Sequence, residues 1–376
     1  MNLIVLNPSQ RWLAYGFVCP GDGRPVTLGK VENYRGRDRD EVADDWTLER
    51  LARTFHRTCP DARLDGLAIR VPFGGSEFDG PVIATPHVVA KLAELVPHAP
   101  LHLPAVLALI DAARISLPDL PVALVFETSF FVALPPRERF YAIDPDLLDD
   151  GAARRYGYHG LFHQAACAHA AAALRKAGAN SPAKILSICL EPGPEVAAVL
   201  GNSPLTVSGG TTPLEGLPGE TSCGEMDPGI ILDLCRINGW GPEQINTVLT
   251  RQSGLLGLAG RSVTLAEVLT SDSDELRLAR DVERYRILLA VGAGIGAMGG
   301  LDAIVFSGRY SAAGQSLGPW LVERISKAGP VVEYSCVSSS LEILVAAQAG
   351  QVIEPGDLPR PAANKPAKGL RRANES

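Results

Sequence analysis

Thr211-Thr212-Pro213-Leu214-Glu215-Gly216-Leu217 is followed ten residues later by Asp227-Pro228, where a helix is expected to begin. Downstream, residues 228–238 and 242–252 read as helices, 272–298 as a longer helical region, 301–306 as a strand and 341–348 as a last helix. Upstream, residues 185–190 and 196–200 read as paired strands separated by a Glu-Pro-Gly-Pro turn. Arg154-Arg155-Tyr156-Gly157-Tyr158-His159-Gly160 opens an Ala-rich helix. Farther out, residues 3–6, 67–71 and 122–126 read as short apolar strands, with helices over 86–95 and 105–115. Strands and helices in both halves predict two α/β domains, residues 1–150 and 151–340, because 376 residues exceed one typical core.

An apolar fraction of 46% with 20% charged residues is that of an ordinary globular protein. The formal net charge of −7 offers no basic field, so neither nucleic acid nor anionic membrane is expected as a partner. No apolar run approaches the roughly 18 residues of a membrane span, and MNLIVLNPSQ lacks the basic start and long apolar stretch of a secretory signal. Cys19, Cys59, Cys167, Cys189, Cys223, Cys235 and Cys336 are scattered and never spaced as C-x-x-C. That pattern argues against a zinc site or disulfide framework, fits a reducing cytoplasm, and suggests small core residues. The tail over 358–376, rich in Pro, Ala, Lys and Arg, is expected to be disordered and solvated.

Gly294-Ile295-Gly296-Ala297-Met298-Gly299 matches the glycine pattern of a dinucleotide fingerprint, which requires a strand before it and a helix after it. Here the order is reversed, so the glycines are expected to serve helix packing and a helix C-cap.

Six collinear pieces resemble the acetate kinase family. They are the Thr211–Leu217 stretch, Asp227-Pro228, Ser253-Gly254-Leu255-Leu256-Gly257-Leu258, Arg155-Tyr156-Gly157-Tyr158-His159-Gly160, Ala99-Pro100-Leu101-His102 and Phe126-Glu127-Thr128-Ser129-Phe130. The resemblance spans residues 1 to about 350 and implies the actin-like ATPase and sugar kinase (ASKHA) fold. In that fold two duplicated α/β domains close over a cleft, usually in a homodimer, and a C-terminal helix near 341–352 packs back on the first domain. It implies a small carboxylate or acyl phosphate as substrate, with ATP and Mg²⁺ as cofactors. Phosphoryl transfer onto a carboxylate brings two anions together, so such a site works by positioning and electrostatic stabilisation.

On this resemblance Arg70, His102, His159 and Glu127 fall at catalytic positions, with Gly74 and Gly75 following Arg70 as in the family's H-G-G turn. Asn7, Leu101, Tyr158 and Pro213 fall at substrate-binding positions, and Gly193 and Gly308 in the nucleotide turns. Glu127 stands where the family has a metal-side aspartate, and Glu342 is adjacent to Leu341, which occupies the place of a late metal-linked glutamate.

The departures gather on the nucleotide side. The family's N-x-G-S-S-S loop reads Asn7-Pro8-Ser9-Gln10-Arg11-Trp12, and its H-L-G-N-G-G-S loop reads Cys189-Leu190-Glu191-Pro192-Gly193-Pro194-Glu195. Two prolines remove N–H donors and two glutamates add charge of the wrong sign for a polyphosphate. A family arginine is replaced by Ser222, and F-T-G-G-I-G-E-N reads Phe306-Ser307-Gly308-Arg309-Tyr310-Ser311-Ala312-Ala313. Arg11 and Arg309 could supply new cations. Losing one transition-state donor costs roughly 10²–10³ in rate, so several losses together predict little ordinary kinase activity. Three readings follow: a divergent enzyme with altered or weak phosphoryl transfer, a pseudokinase acting by binding, and a conventional acetate kinase.

Overall fold

The computed structural model describes residues 1–9, 12–19, 25–32, 47–144, 146, 154–179, 182–326 and 333–353. The expected split near residue 150, Arg11 and the tail over 358–376 lie outside the described residues.

Two sheets repeat one plan. In the first, β1 (Leu3–Pro8), β2 (Trp12–Val18) and β3 (Pro25–Glu32) form an antiparallel meander. β4 (Gly66–Val71), β5 (Val82–Ile83) and β6 (Val122–Phe126) follow. β4 and β6 extend the sheet in parallel from β1 and β5 borders β6 antiparallel, giving the order β3-β2-β1-β4-β6-β5. In the second, β7 (Lys184–Cys189), β8 (Glu195–Leu200) and β9 (Ser203–Val207) form the meander. β10 (Ala303–Ser307) and β11 (Glu333–Cys336) continue it in parallel from β7, so the order is β11-β10-β7-β8-β9.

Period-2 alternation explains how each sheet is covered on both faces. Ile4 and Leu6 of β1, Leu67 and Ile69 of β4, and Leu124 and Phe126 of β6 enter one core with the helices Leu48–Thr58 and Leu103–Ser116. Leu3 and Val5, Ala68, and Ala123 and Val125 point the other way, against the helix Leu341–Ala349 and Leu161. In the second sheet Leu186, Ile188, Val196 and Ile304 face the helix Arg277–Met298. Ile185, Ala197, Val199 and Val305 face the helix Gly160–Lys176. That helix also packs on Leu341–Ala349, so it lies between the two sheets.

The glycine-rich run 294–299 closes the helix Arg277–Met298, not a nucleotide turn. A Cβ on Gly294 would stand 2.7 Å from Leu186 Cδ2, and Gly299 is the left-handed C-cap with φ 65°. The expectation that most of the cysteines are core residues is not met, since of the seven Cys167 and Cys189 are buried. Cys19, Cys59 and Cys223 are half-buried, and Cys235 and Cys336 are exposed. A scattered cysteine carries no periodicity, so its depth depends on which way its element faces.

Glu283 is the main irregularity of the second core. It continues the stripe Ala279, Ile287 and Val291 that faces the sheet, is fully buried, and neither carboxyl oxygen has a partner. Burial pushes its pKa from 4.5 up to about 8. The folded chain therefore binds more protons than the unfolded chain between pH 4.5 and about 8. Stability should be unaffected by this group at lower pH, fall across that window by up to about 1.4 kcal/mol per pH unit, and level above it. Glu283→Leu is expected to flatten this part of the profile and raise the melting temperature at pH 8. Thermal melts of both proteins from pH 4.5 to 9 check this, and parallel profiles would refute it.

Candidate functional site

The face of the first sheet that packs on Leu341–Ala349 changes character at the C-terminal ends of its central strands. Along β1 the apolar row Leu3, Val5 ends in Asn7, along β4 Ala68 is followed by Arg70, and along β6 the row Ala123, Val125 ends in Glu127. Period 2 and parallel pairing thus bring Asn7, Arg70 and Glu127 together from positions up to 120 residues apart. Arg70 Nε–H donates to Glu127 Oε1 at 2.6 Å and Arg70 Nη1 donates to Asn7 Oδ1 at 3.2 Å. Glu127 is 1% exposed and Arg70 20%, so the pair lies largely out of water. Arg70 Nη2 meets no acceptor among the described residues, and Glu127 Oε2 is buried without a donor.

His102 precedes the helix Leu103–Ser116, and its pKa is lowered by burial and then by the charge of Arg70. His159 stands at the N-terminus of Gly160–Lys176 with φ 53°, a left-handed conformation unique among the described non-glycine residues. Such strain persists only where surrounding contacts enforce it. Gly160 N–H donates to Glu127 O at 3.0 Å, and a Cβ on Gly160 would sit 2.2 Å from that oxygen, so glycine lets the helix end abut the first sheet. On the other side His159 Nε2 bonds Gly193 O at 3.0 Å, joining the helix end to the turn between β7 and β8.

The same change of character ends the inner face of the second sheet, where Ser187, Cys189, Glu195 and Ser307 are all buried. Tyr158 N–H donates to both oxygens of Glu195, at 3.1 and 2.9 Å. His163 Nδ1 lies 2.8 Å from Ser187 Oγ, and its Nε2 lies 3.2 Å from Glu195 Oε1 without hydrogen-bond alignment. Burial pushes His163 down to about 3, against the opposing charge of Glu127, and Glu195 up to about 8. Both shifts favour a neutral imidazole beside a carboxylic acid, and His163 Nε2 is buried without a hydrogen-bond partner among the described residues. Burial foremost, then the charges of Glu191, Glu195 and Glu127, push the Cys189 thiol far up, so four acidic groups share this neighbourhood.

The Thr211–Leu217 stretch is held as scaffold. Arg155 Nη1 donates to the carbonyls of Val207, Ser208 and Gly209, and its Nη2 donates to Glu215 at 2.8 Å. Tyr141 OH also bonds Glu215, and Tyr158 OH donates to Thr211 O at 2.8 Å. Cβ atoms on Gly209 and Gly210 would collide with the carboxylates of Glu195 and Glu215. Pro213 and Leu101 are exposed side chains, and no described contact joins either to Arg70. Glu342 packs its Cγ near Gly16 of β2, and no ion pair or hydrogen bond joins it to Glu127 among the described residues.

The nucleotide-side turns are bonded to one another. Arg309 Nε donates to Glu191 Oε2 at 2.8 Å and Arg309 N–H to Glu191 Oε1 at 2.7 Å. The charge expected at Glu191 is therefore paired within the protein, and Arg309, expected as a possible new cation, is its partner. Gly308, with φ 86°, brings its backbone against Leu190 O, and Pro192 O accepts from Glu220 N–H at 2.6 Å. Gly193 is exposed and gives its carbonyl to His159. Ser222 O accepts from Gly219 N–H at 3.0 Å. Glu191, Glu195 and the Gly193 carbonyl were all legible as residues, but their partners were not, since Arg309 lies 118 residues from Glu191. His163 and Ser187 carried no motif of their own.

Two sheets that share a five-strand order, the first with β5 added at its edge, facing one another across a shared helix are the actin-like ATPase and sugar kinase fold. The chain matches the acetokinase family over residues 32–317. It is 34% identical over 329 residues to acetate kinase of Streptomyces coelicolor, covering 81% of this chain and 80% of that protein. It is 36% identical over 247 residues to acetate kinase of Syntrophobacter fumaroxidans, covering 65% and 59% of the respective chains. Among solved structures, Porphyromonas gingivalis acetate kinase superposes with a TM-score of 0.79 at 26% identity, covering 94% of this chain and 100% of that one. This chain belongs to the acetokinase family.

The family implies Mg²⁺ and ATP, and the residues present fit them unequally. The orphaned Glu127 Oε2 can join in holding a hydrated Mg²⁺, which commonly takes only one or two carboxylates. No group of three His, Cys, Asp or Glu is gathered for a cation among the described residues. The turn 190–195 does not fit a polyphosphate: it carries two prolines, two buried carboxylates, and carbonyls already bonded within the protein.

Because Glu127 is buried against Arg70, removing the arginine alone strands a carboxylate out of water. Arg70→Met is expected to destabilise the fold by roughly 3–5 kcal/mol, and Arg70→Met with Glu127→Leu to recover most of that loss. Urea unfolding of the three proteins measures it; equal losses in single and double variants would contradict the pairing.

Proposed function

We propose that this acetokinase-family chain binds a small carboxylate or acyl phosphate at Arg70, His102 and His159, and that its phosphoryl transfer is altered or weak. The observation that carries this reading is the state of Arg70. Glu127 and Asn7 fix one side of its guanidinium, and Nη2 is left without an acceptor among the described residues. A guanidinium already oriented by its neighbours needs no reorganisation to receive a carboxylate or phosphate oxygen. His102, held neutral by burial and by Arg70, can donate one hydrogen bond to the same anion. His159, pinned by Gly193 O, brings a second ring to the end of the helix Gly160–Lys176. Asn7 orients Arg70 directly, whereas Leu101, Tyr158 and Pro213 are proposed as walls of the acyl pocket.

The Glu191–Arg309 pair and the proline-bearing turn favour weak use of nucleotide, and in the extreme a pseudokinase. The identities near 35% to acetate kinases favour the conventional activity. Titration of the purified chain with acetyl phosphate, acetate, pyrophosphate and Mg-ATP separates these readings. We expect acetyl phosphate to bind, and Arg70→Lys, which keeps the charge but loses the fork, to weaken it about tenfold. Mg-ATP is expected to give no thermal shift, and acetate with hydroxylamine no ATP-dependent hydroxamate. A shift of several degrees together with hydroxamate would make it a conventional acetate kinase; no binding of acetyl phosphate or Mg-ATP would favour the pseudokinase.

We also propose a homodimer. The helix Pro228–Asn238 has no buried residue, yet it carries Ile230, Leu232 and Ile237, exposed by 47%, 69% and 70%. Ile230 and Ile237, seven residues apart, share one face and Leu232 lies on the opposite one, so the helix offers apolar surface to a partner on both sides. Light scattering should give twice the mass of 39.8 kDa, and Ile237→Asp should shift it toward the monomer.

A further inference from the structure

Cys19 follows β2, and Cys59 caps the C-terminus of the helix Leu48–Thr58, donating its N–H to Phe55 O at 2.8 Å. The two are 40 residues apart in sequence, yet their sulfurs are 3.2 Å apart, one thiol donating to the other. Both are half-buried and pack against the core that contains Phe17 and Phe55. A disulfide needs sulfurs at about 2.05 Å, so closing the pair asks the two sulfurs to approach by about 1 Å.

We propose that Cys19 and Cys59 form a redox modification site that closes to an intramolecular disulfide on reaction with a low-molecular-weight disulfide such as oxidised glutathione. The step begins at Cys59, at the C-terminal end of the helix Leu48–Thr58, once its thiol has lost its proton to solvent. Its thiolate attacks one sulfur of the small disulfide, the S–S bond breaks, and a glutathione thiolate leaves. Cys19 then loses its proton to solvent and attacks the Cys59 sulfur of the mixed disulfide, expelling the second glutathione thiolate. Two electrons and two protons pass from the cysteine pair to the small disulfide, which becomes two thiols. In a reducing compartment the pair rests as two thiols and closes when the thiol pool is oxidised. Closing the loop restricts the unfolded chain and stabilises the first sheet's outer hairpin against its helix.

The full-length protein, incubated with oxidised glutathione, alkylated and digested with trypsin, provides the test. We expect a cross-linked pair of the peptides spanning residues 12–30 and 58–63, while the exposed Cys235 and Cys336 carry glutathione. The oxidised protein should melt about 5 °C higher than the reduced protein, and Cys19→Ser should abolish that rise. In that variant Cys59 should stop at the mixed disulfide. Recovery of Cys19 and Cys59 as separate alkylated or glutathionylated residues, with Cys235 fully modified, would overturn the proposal.

Discussion

The ion pair between Arg70 and Glu127, 2.6 Å long and almost closed to water, is the contact on which the cleft depends. It spans β4 and the end of β6, and its backbone partner Gly160 brings the helix Gly160–Lys176 against the same residue. A buried carboxylate is tolerated only with a fixed counter-charge, so Glu127 orients the guanidinium as firmly as the guanidinium neutralises Glu127. The orientation of the Arg70 guanidinium is therefore set by a desolvation requirement. His159, strained and tied to both sheets through its helix, inherits its position from that same junction.

The second sheet solves a similar problem differently. Glu191 is buried, but Arg309 reaches it with a side-chain and a backbone donor. Glu195 takes the Tyr158 N–H and rests beside a neutral His163, so its charge is removed by protonation and not by a cation. Both arrangements consume donors that a Gly-rich turn would leave open to phosphate. The repeated strand plan makes the contrast plain, since the equivalent ends of the two sheets carry Arg70 with Nη2 open in one, and one closed ion pair with a protonated carboxyl in the other.

Much of the fold was legible in the chain because its core strands alternate or run apolar over short lengths. The strand at 122–126 and the helix at 228–238 have the bounds their apolar and helix-start signals suggest. β2 and β3 were not, because their residues take strand form only by pairing with β1, and the helix Gly314–Ile325 carries an internal proline. Arg70, His102, His159 and Glu127 were visible through collinear motifs, whereas Glu195 and His163 were not, since neither forms a pattern until folded.

By itself the sequence determined the family, the two-sheet α/β plan and the identity of the residues that end the inner strand rows. Those depend on local periodicity and on short motifs, which need no knowledge of distant partners. Only the tertiary structure decided which charges are free. Whether Glu191 repels an anion, whether Arg309 binds one, and whether Cys19 meets Cys59 are settled by contacts spanning 40 to 118 residues, and by how far burial changes the cost of each charge.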